Sequence, residues 1–238
     1  FMLAYTPLHL LLLEPEAGFP EALVMTSGNL SEEPLAYRDD EARQRLSSLA
    51  DAFLMHNRPI YMRVDDSVVT VLREQPYLIR RARGYAPGQL RIPKTALPIL
   101  GTGTQLKNTF CLARDRYAFV SHFIGDLENQ ETLDSFEQAV AHYEKLFRIH
   151  PRALACDMHP DYLATRYARA RSQRESLPLI AVQHHHAHLA ACLAENAWES
   201  SAPAIGLIFD GTGYGTDGSI WGGEVLVGGY QGFERRFH

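Results

Sequence analysis

The sequence predicts an α/β fold, with an α+β first part leading into an α/β second part. Three observations carry this prediction. Beyond residue 97, strand-like and helix-like segments alternate. Residues 133–147 have one apolar face at helical spacing, formed by Phe136, Val140, Tyr143 and Phe147. Two apolar, strand-like runs pass into glycine–threonine segments, Gly101-Thr102-Gly103-Thr104 and Asp210-Gly211-Thr212-Gly213, about a hundred residues apart.

In chain order, Ala22 to Thr26 reads as a buried strand, followed by the loop Ser27-Gly28-Asn29-Leu30-Ser31. Asp39 to Asp51 has helical spacing, with two acidic residues suited to the helix start. Ile60 to Val64, Ser67 to Leu72 and Tyr77 to Arg81 read as three strands. Pro87, Gly88, Pro93 and Pro98 punctuate a stretch without helical periodicity, the best linker in the chain. Leu97 to Leu100, Phe110 to Ala113 and Tyr117 to Ser121 are expected strands of a meander. The helix at 133–147 follows, then a strand at Leu154 to Asp157, a helix at Tyr162 to Arg171 and a strand at Leu179 to Val182. A helix opening at the histidine run and a strand at Ala204 to Phe209, ending in a turn, complete the series.

Composition bounds the function. The chain has 238 residues, 46% hydrophobic and 21% charged, as in a soluble globular protein. Its formal net charge of −5 argues against a general nucleic-acid binder. No apolar run approaches the roughly 20 residues of a membrane span, and no signal-peptide pattern opens the chain. Cys111, Cys156 and Cys192 are odd in number and widely spaced, which fits buried thiols in a reducing cytoplasm. Both ends read as cut edges, so a fragment of a longer polypeptide is expected.

His184-His185-His186-Ala187-His188 is the densest chemical feature. His184 and His188 are four apart and share a helix face, so two imidazoles can reach one metal ion. The competing explanation is a solvated helix start. The two glycine–threonine segments would let backbone N–H groups approach a phosphate, although tight turns use glycine for other reasons. Ser27, Asn29 and Ser31 put short polar groups on one loop; an ordinary Asx or Ser turn explains them as well. Asp65-Asp66-Ser67 is equally consistent with a strand-entry turn. Arg80, Arg81 and Arg83 concentrate donors for a small anionic ligand, against the alternative of a solvated basic loop.

Taken in order, these segments resemble one family. Thr26 to Pro34, Asp65 to Val69 and Arg80 to Tyr85 are similar to the YrdC-like domain of the HypF carbamoyltransferases. Leu106-Lys107-Asn108-Thr109-Phe110, Ile124-Gly125-Asp126-Leu127, His159-Pro160-Asp161-Tyr162, the histidine run, Asp210 to Gly215 and Ile220 to Glu224 resemble the start of its TsaD-like (Kae1-like) domain, of the ASKHA type. The resemblance implies two parts, residues 1–92 and 93–238. It implies an ATP-dependent carbamoyltransferase of [NiFe] hydrogenase maturation, which forms carbamoyl-adenylate from carbamoyl phosphate and ATP. The carbamoyl group then passes to the C-terminal cysteine of the partner HypE, to become a cyanide ligand.

Carried over by motif, Ser27, Asn29, Ser31, Asp66, Ser67, Arg81 and Arg83 would line the adenylating site. Gly101, Gly103, Lys107, Asn108, Gly211 and Gly213 would bind nucleotide. His184 and His188, with Asp210 as a further ligand, would hold a divalent ion: Mg, Fe or Zn. His185 and His186 should point elsewhere. No membrane or nucleic-acid partner is implied. One departure stands out: where the family has histidine before its Ile-Gly-Asp segment, this chain has Phe123. A carboxylate beyond His238 would complete the metal site, so the chain alone should not complete the reaction. The competing functions are synthesis of threonylcarbamoyladenosine in tRNA, since both parts have relatives there, and a non-catalytic metal-binding scaffold.

Overall fold

The computed structural model describes residues 3–30 and 35–238. The chain divides into two compact units, Phe1–Ile60 and Tyr61–His238. The first contains two short helices, α1 (Pro7–Leu12) and α2 (Asp39–Leu46). Thr6 caps α1 by accepting the His9 N–H, with proline at the first helical position. Asp39, Asp40 and Glu41 occupy the first turn of α2, where the helix dipole favours negative charge. The strand expected at 22–26 is not formed. Val24 is 97% exposed there, and an isolated extended segment has no ladder partner among the described residues of this unit.

The second unit begins with a hairpin, β1 (Val68–Leu72) and β2 (Gln75–Arg80). Arg73 and Glu74, both at positive φ, make its two-residue turn. Residues 60–64, expected as a strand, form none. A four-stranded sheet follows in the order β4-β3-β5-β6, from β3 (Leu90–Gly101), β4 (Cys111–Val120), β5 (Ala153–Asp157) and β6 (Leu179–Val182). β4 runs antiparallel to β3, whereas β5 and β6 are parallel additions. The helix α3 (Gln130–Phe147) connects β4 to β5, and α4 (Leu163–Glu175) connects β5 to β6.

Two corrections to the sequence reading arise in this sheet. The proline-punctuated stretch is not a linker, because β3 passes through Pro93 and Pro98. β5 pairs only with Ile99 to Gly101, so the earlier part of β3 has a single neighbour and tolerates residues without an N–H. Likewise, residues 111–120 form one strand rather than two. The polar Arg114-Asp115-Arg116 interruption stays in the strand through an irregularity at Asp115, which adopts a positive φ.

The main core lies between this sheet and its helices. Leu100, Phe110, Leu112, Phe136, Val140, Tyr143 and Leu154 are buried together, with Phe110 set edge-on against Phe136 and Tyr143. The apolar stripe read on 133–147 therefore packs inward. After β6 comes α5 (His184–Glu195), then an antiparallel sheet of β7 (Ala204–Tyr214), β8 (Ile220–Gly228) and β9 (Phe233–Phe237). Leu189 and Leu193 of α5 pack on Ile208 and Leu226. The order of elements confirms a mixed α/β fold. Among the described residues no helix is long and apolar enough to cross a membrane.

Candidate metal centre

Gln183 builds the start of α5. Its Oε1 accepts the His186 N–H at 2.9 Å and so caps the helix. Its Nε2 lies 3.0 Å from His185 Nδ1. An amide NH2 only donates, so His185 Nδ1 accepts and its Nε2–H donates to the Gly222 carbonyl at 2.8 Å. His185 is fully buried. His186 Nε2 donates to the Gly229 carbonyl at 2.7 Å. Both central histidines thus fasten the helix to β8 and the residues after it, and neither faces the pair on its other side.

His184 and His188 do converge. Their Nε2 atoms are 3.3 Å apart. Asp210 Oδ2 lies 2.7 Å from His184 Nε2 and 3.5 Å from His188 Nε2. No other group of three ligand-type side chains is so gathered among the described residues. The donor set fits a divalent ion on two counts. Asp210 Oδ2 is buried and lacks a hydrogen bond of acceptable geometry despite its short distance to His184. In addition, the facing atoms are all lone-pair donors, imidazole nitrogen and carboxylate oxygen. Asp210 Oδ1 is separately held by the Gly211 N–H at 2.8 Å.

Electrostatics follow from this packing. The Asp157 carboxylate, 2.7 Å from His184 Nδ1, raises the His184 imidazole above its ordinary value. Burial lowers His188, and the neighbouring His184 lowers it further. Burial alone would raise the Asp210 carboxyl, but the Gly211 N–H and the two imidazoles together hold it below the usual range. Beside the cluster, His159 stacks on Tyr162 at a ring separation of 4.0 Å, and Tyr214 meets His159 edge-on.

The two glycine–threonine segments differ in conformation. After β3, Gly103 has φ +71°, and a Cβ there would collide with the Thr109 carbonyl oxygen. The Asn108 side chain is buried and donates to the carbonyls of Thr102 and Thr104. Its amide group therefore shapes this loop, and its NH2 is already committed rather than free for phosphate. Lys107 is exposed, with its backbone N–H on Asp126. The second segment is not a turn. Gly211 and Gly213 lie within β7, at a register shift between Phe209 and Gly213. A Cβ on Gly213 would sit 2.7 Å from His185 Nδ1 and 2.9 Å from His184 Cβ. That glycine lets the start of α5 lie against β7.

The remaining candidates are divided between the two units. Ser27 and Asn29 belong to the first unit; the Ser27 carbonyl accepts the Asn29 N–H, an ordinary turn. Ser31 lies outside the described residues. In the second unit, Ser67 Oγ donates to the Arg83 carbonyl and accepts the Ala82 N–H. Arg83 reaches Asp66 at 3.4 Å and the Val64 carbonyl at 3.0 Å. Arg81 donates to the carbonyls of Tyr85 and Gly88. Arg80 sits over the Phe123 ring at 4.5 Å, which gives that departure from the family pattern a local role.

Asp157 was not among the expected site residues. Its signal was present: it ends an apolar strand in parallel register with Val182, just before the histidine run. Ends of neighbouring parallel strands open on one crevice.

The family model for the HypF Kae1-like domain matches residues 94–195, and that for the second subdomain of the carbamoyltransferase Kae1-like domain matches 206–238. A model described as telomere recombination, the Sua5, YciO and YrdC group, matches 1–82. The chain is 51% identical to the carbamoyltransferase HypF of Rhodobacter capsulatus over 98% of its length and 32% of the relative's. It is 44% identical to that of Synechocystis, over 94% of this chain and 28% of the relative. A full-length HypF solved in a phosphate- and nucleotide-bound form superposes with a TM-score of 0.87 at 48% identity, covering 98% of this chain and 36% of that one. The HypF of T. kodakarensis does so with a TM-score of 0.81 at 38% identity, covering 89% and 27%. The chain belongs to the HypF carbamoyltransferase family, and spans about a third of the length of the curated relatives it matches.

Proposed function

We propose that this chain forms part of an ATP-dependent carbamoyltransferase of [NiFe] hydrogenase maturation. Residues 1–92 contribute to a YrdC-like site that forms carbamoyl-adenylate from carbamoyl phosphate and ATP. Residues 93–238 contribute to a Kae1-like site that passes the carbamoyl group to the C-terminal cysteine of HypE. The family membership and the extents of the matched models support this division. The observation that carries the reading is the meeting of His184 and His188 of α5 with Asp210 of β7.

In this reading His184 Nε2, His188 Nε2 and Asp210 Oδ2 hold a divalent ion. Bound there, the ion would neutralise nucleotide phosphate or polarise the carbamoyl carbonyl. The chain's own residues orient what binds. The Gly103 turn, pinned by Asn108, offers backbone N–H groups to phosphate. Arg81 and Arg83 add positive charge where adenylation moves charge onto pyrophosphate.

Calorimetric titration tests this function. ADP should strengthen Mg2+ or Zn2+ binding, and His184→Ala should weaken binding of both metal and nucleotide. Metal binding indifferent to nucleotide would favour the scaffold reading instead.

A further inference from the structure

We propose that Asp157 is a positioning residue that sets the tautomer of His184 and so aims its lone pair at the ion. This rests on the reading that His184, His188 and Asp210 hold a cation. Asp157 ends β5, and its side chain is 3% exposed. Its two oxygens have separate duties. Oδ2 lies 2.7 Å from His184 Nδ1, and Oδ1 accepts the His159 N–H at 2.8 Å. A carboxylate only accepts, so His184 Nδ1 carries a proton for Asp157; the proton that Asp210 Oδ2, 2.7 Å from Nε2, draws onto the other nitrogen is the one a cation displaces, which leaves the Nε2 lone pair for the ion. The same group holds the turn carrying the stacked His159 and Tyr162 rings. A carboxylate–histidine–metal arrangement of this kind fixes both ring orientation and ligand basicity.

A carboxamide cannot perform both duties. In Asp157→Asn, the amide oxygen can face only one N–H donor. With that oxygen on the His159 N–H, the NH2 group faces His184 Nδ1 and forces the proton to Nε2. The ring then presents N–H instead of a lone pair to the ion.

The test uses the full chain labelled with 15N-histidine, with His184→Gln to assign the ring signals and Co2+ as the metal probe. In the wild type, His184 should be protonated on Nδ1 both before and after Co2+ is added. In Asp157→Asn the Nδ1 proton should be lost, leaving Nε2 alone protonated, and Co2+ affinity should fall about 10- to 100-fold, with circular dichroism unchanged. Retention of the Nδ1 proton, with Co2+ affinity within about twofold of wild type, would overturn this inference alone. A wild-type His184 without a proton on Nδ1 would overturn it without recourse to any variant. Absence of Co2+ uptake by the wild type would overturn the metal reading and this inference with it.

Discussion

Adjacent histidines in one helical turn carry opposite consequences. His185 is fully buried and bonded to Gln183 and Gly222. His185→Ala leaves two polar groups unpaired beside a cavity and should cost about 2–4 kcal/mol in urea unfolding. His188 is more than half exposed, so His188→Ala should alter stability by less than about 0.5 kcal/mol while abolishing metal binding. His122 gives a pH signature. Burial, with Arg63 and His142 nearby, lowers it from 6.5 to about 4. Above pH 6.5 neither folded nor unfolded chain binds this proton. Between 6.5 and about 4 the unfolded chain gains a proton that the folded chain refuses, so stability falls as pH falls. The loss should reach on the order of 3 kcal/mol. It is read as the difference between the pH–stability profiles of wild type and His122→Gln, and coincident profiles would contradict it. Burial also pushes the Cys111 thiol up to about 11, so exposed Cys192 should react with iodoacetamide well before Cys111.

At the scale of elements, β7 is the piece whose reading changed most. Its Asp210-Gly211-Thr212-Gly213 segment looked like a turn because glycine and threonine are turn residues. In the fold Gly213 instead makes room for the start of α5. Gly213→Ala should therefore cost about 1–3 kcal/mol through overpacking and weaken metal binding by displacing His184; an unperturbed variant would show that α5 yields. The helices and strands from residue 130 to 195 were legible because each carries a local apolar pattern, and the apolar period of 133–147 reports one core. Residues 22–26 and 60–64 were not. Their apolar composition suits a strand, but a strand also needs a partner, and composition does not supply one. Pro93 misled in the opposite direction, since a proline is tolerated where a strand has one open edge. The histidine pair and Asp210 were legible from spacing and position, whereas Asp157 required knowing that β5 and β6 are parallel neighbours.

Across the whole molecule, the second unit brings four side chains from three elements to one cluster: Asp157 from β5, His184 and His188 from α5, and Asp210 from β7. Their sequence separations mean that the cluster exists only when the fold does, so a bound ion should stabilise the native state. At a hundredfold excess over its Kd, metal should add about 2.7 kcal/mol, read as a rise in Tm that is absent in His184→Ala. The most direct measurement is anomalous diffraction from crystals of this chain grown with Zn2+. The account predicts a peak about 2.0–2.2 Å from His184 Nε2, His188 Nε2 and an oxygen of Asp210. A peak on other residues, or none at this cluster, would contradict it.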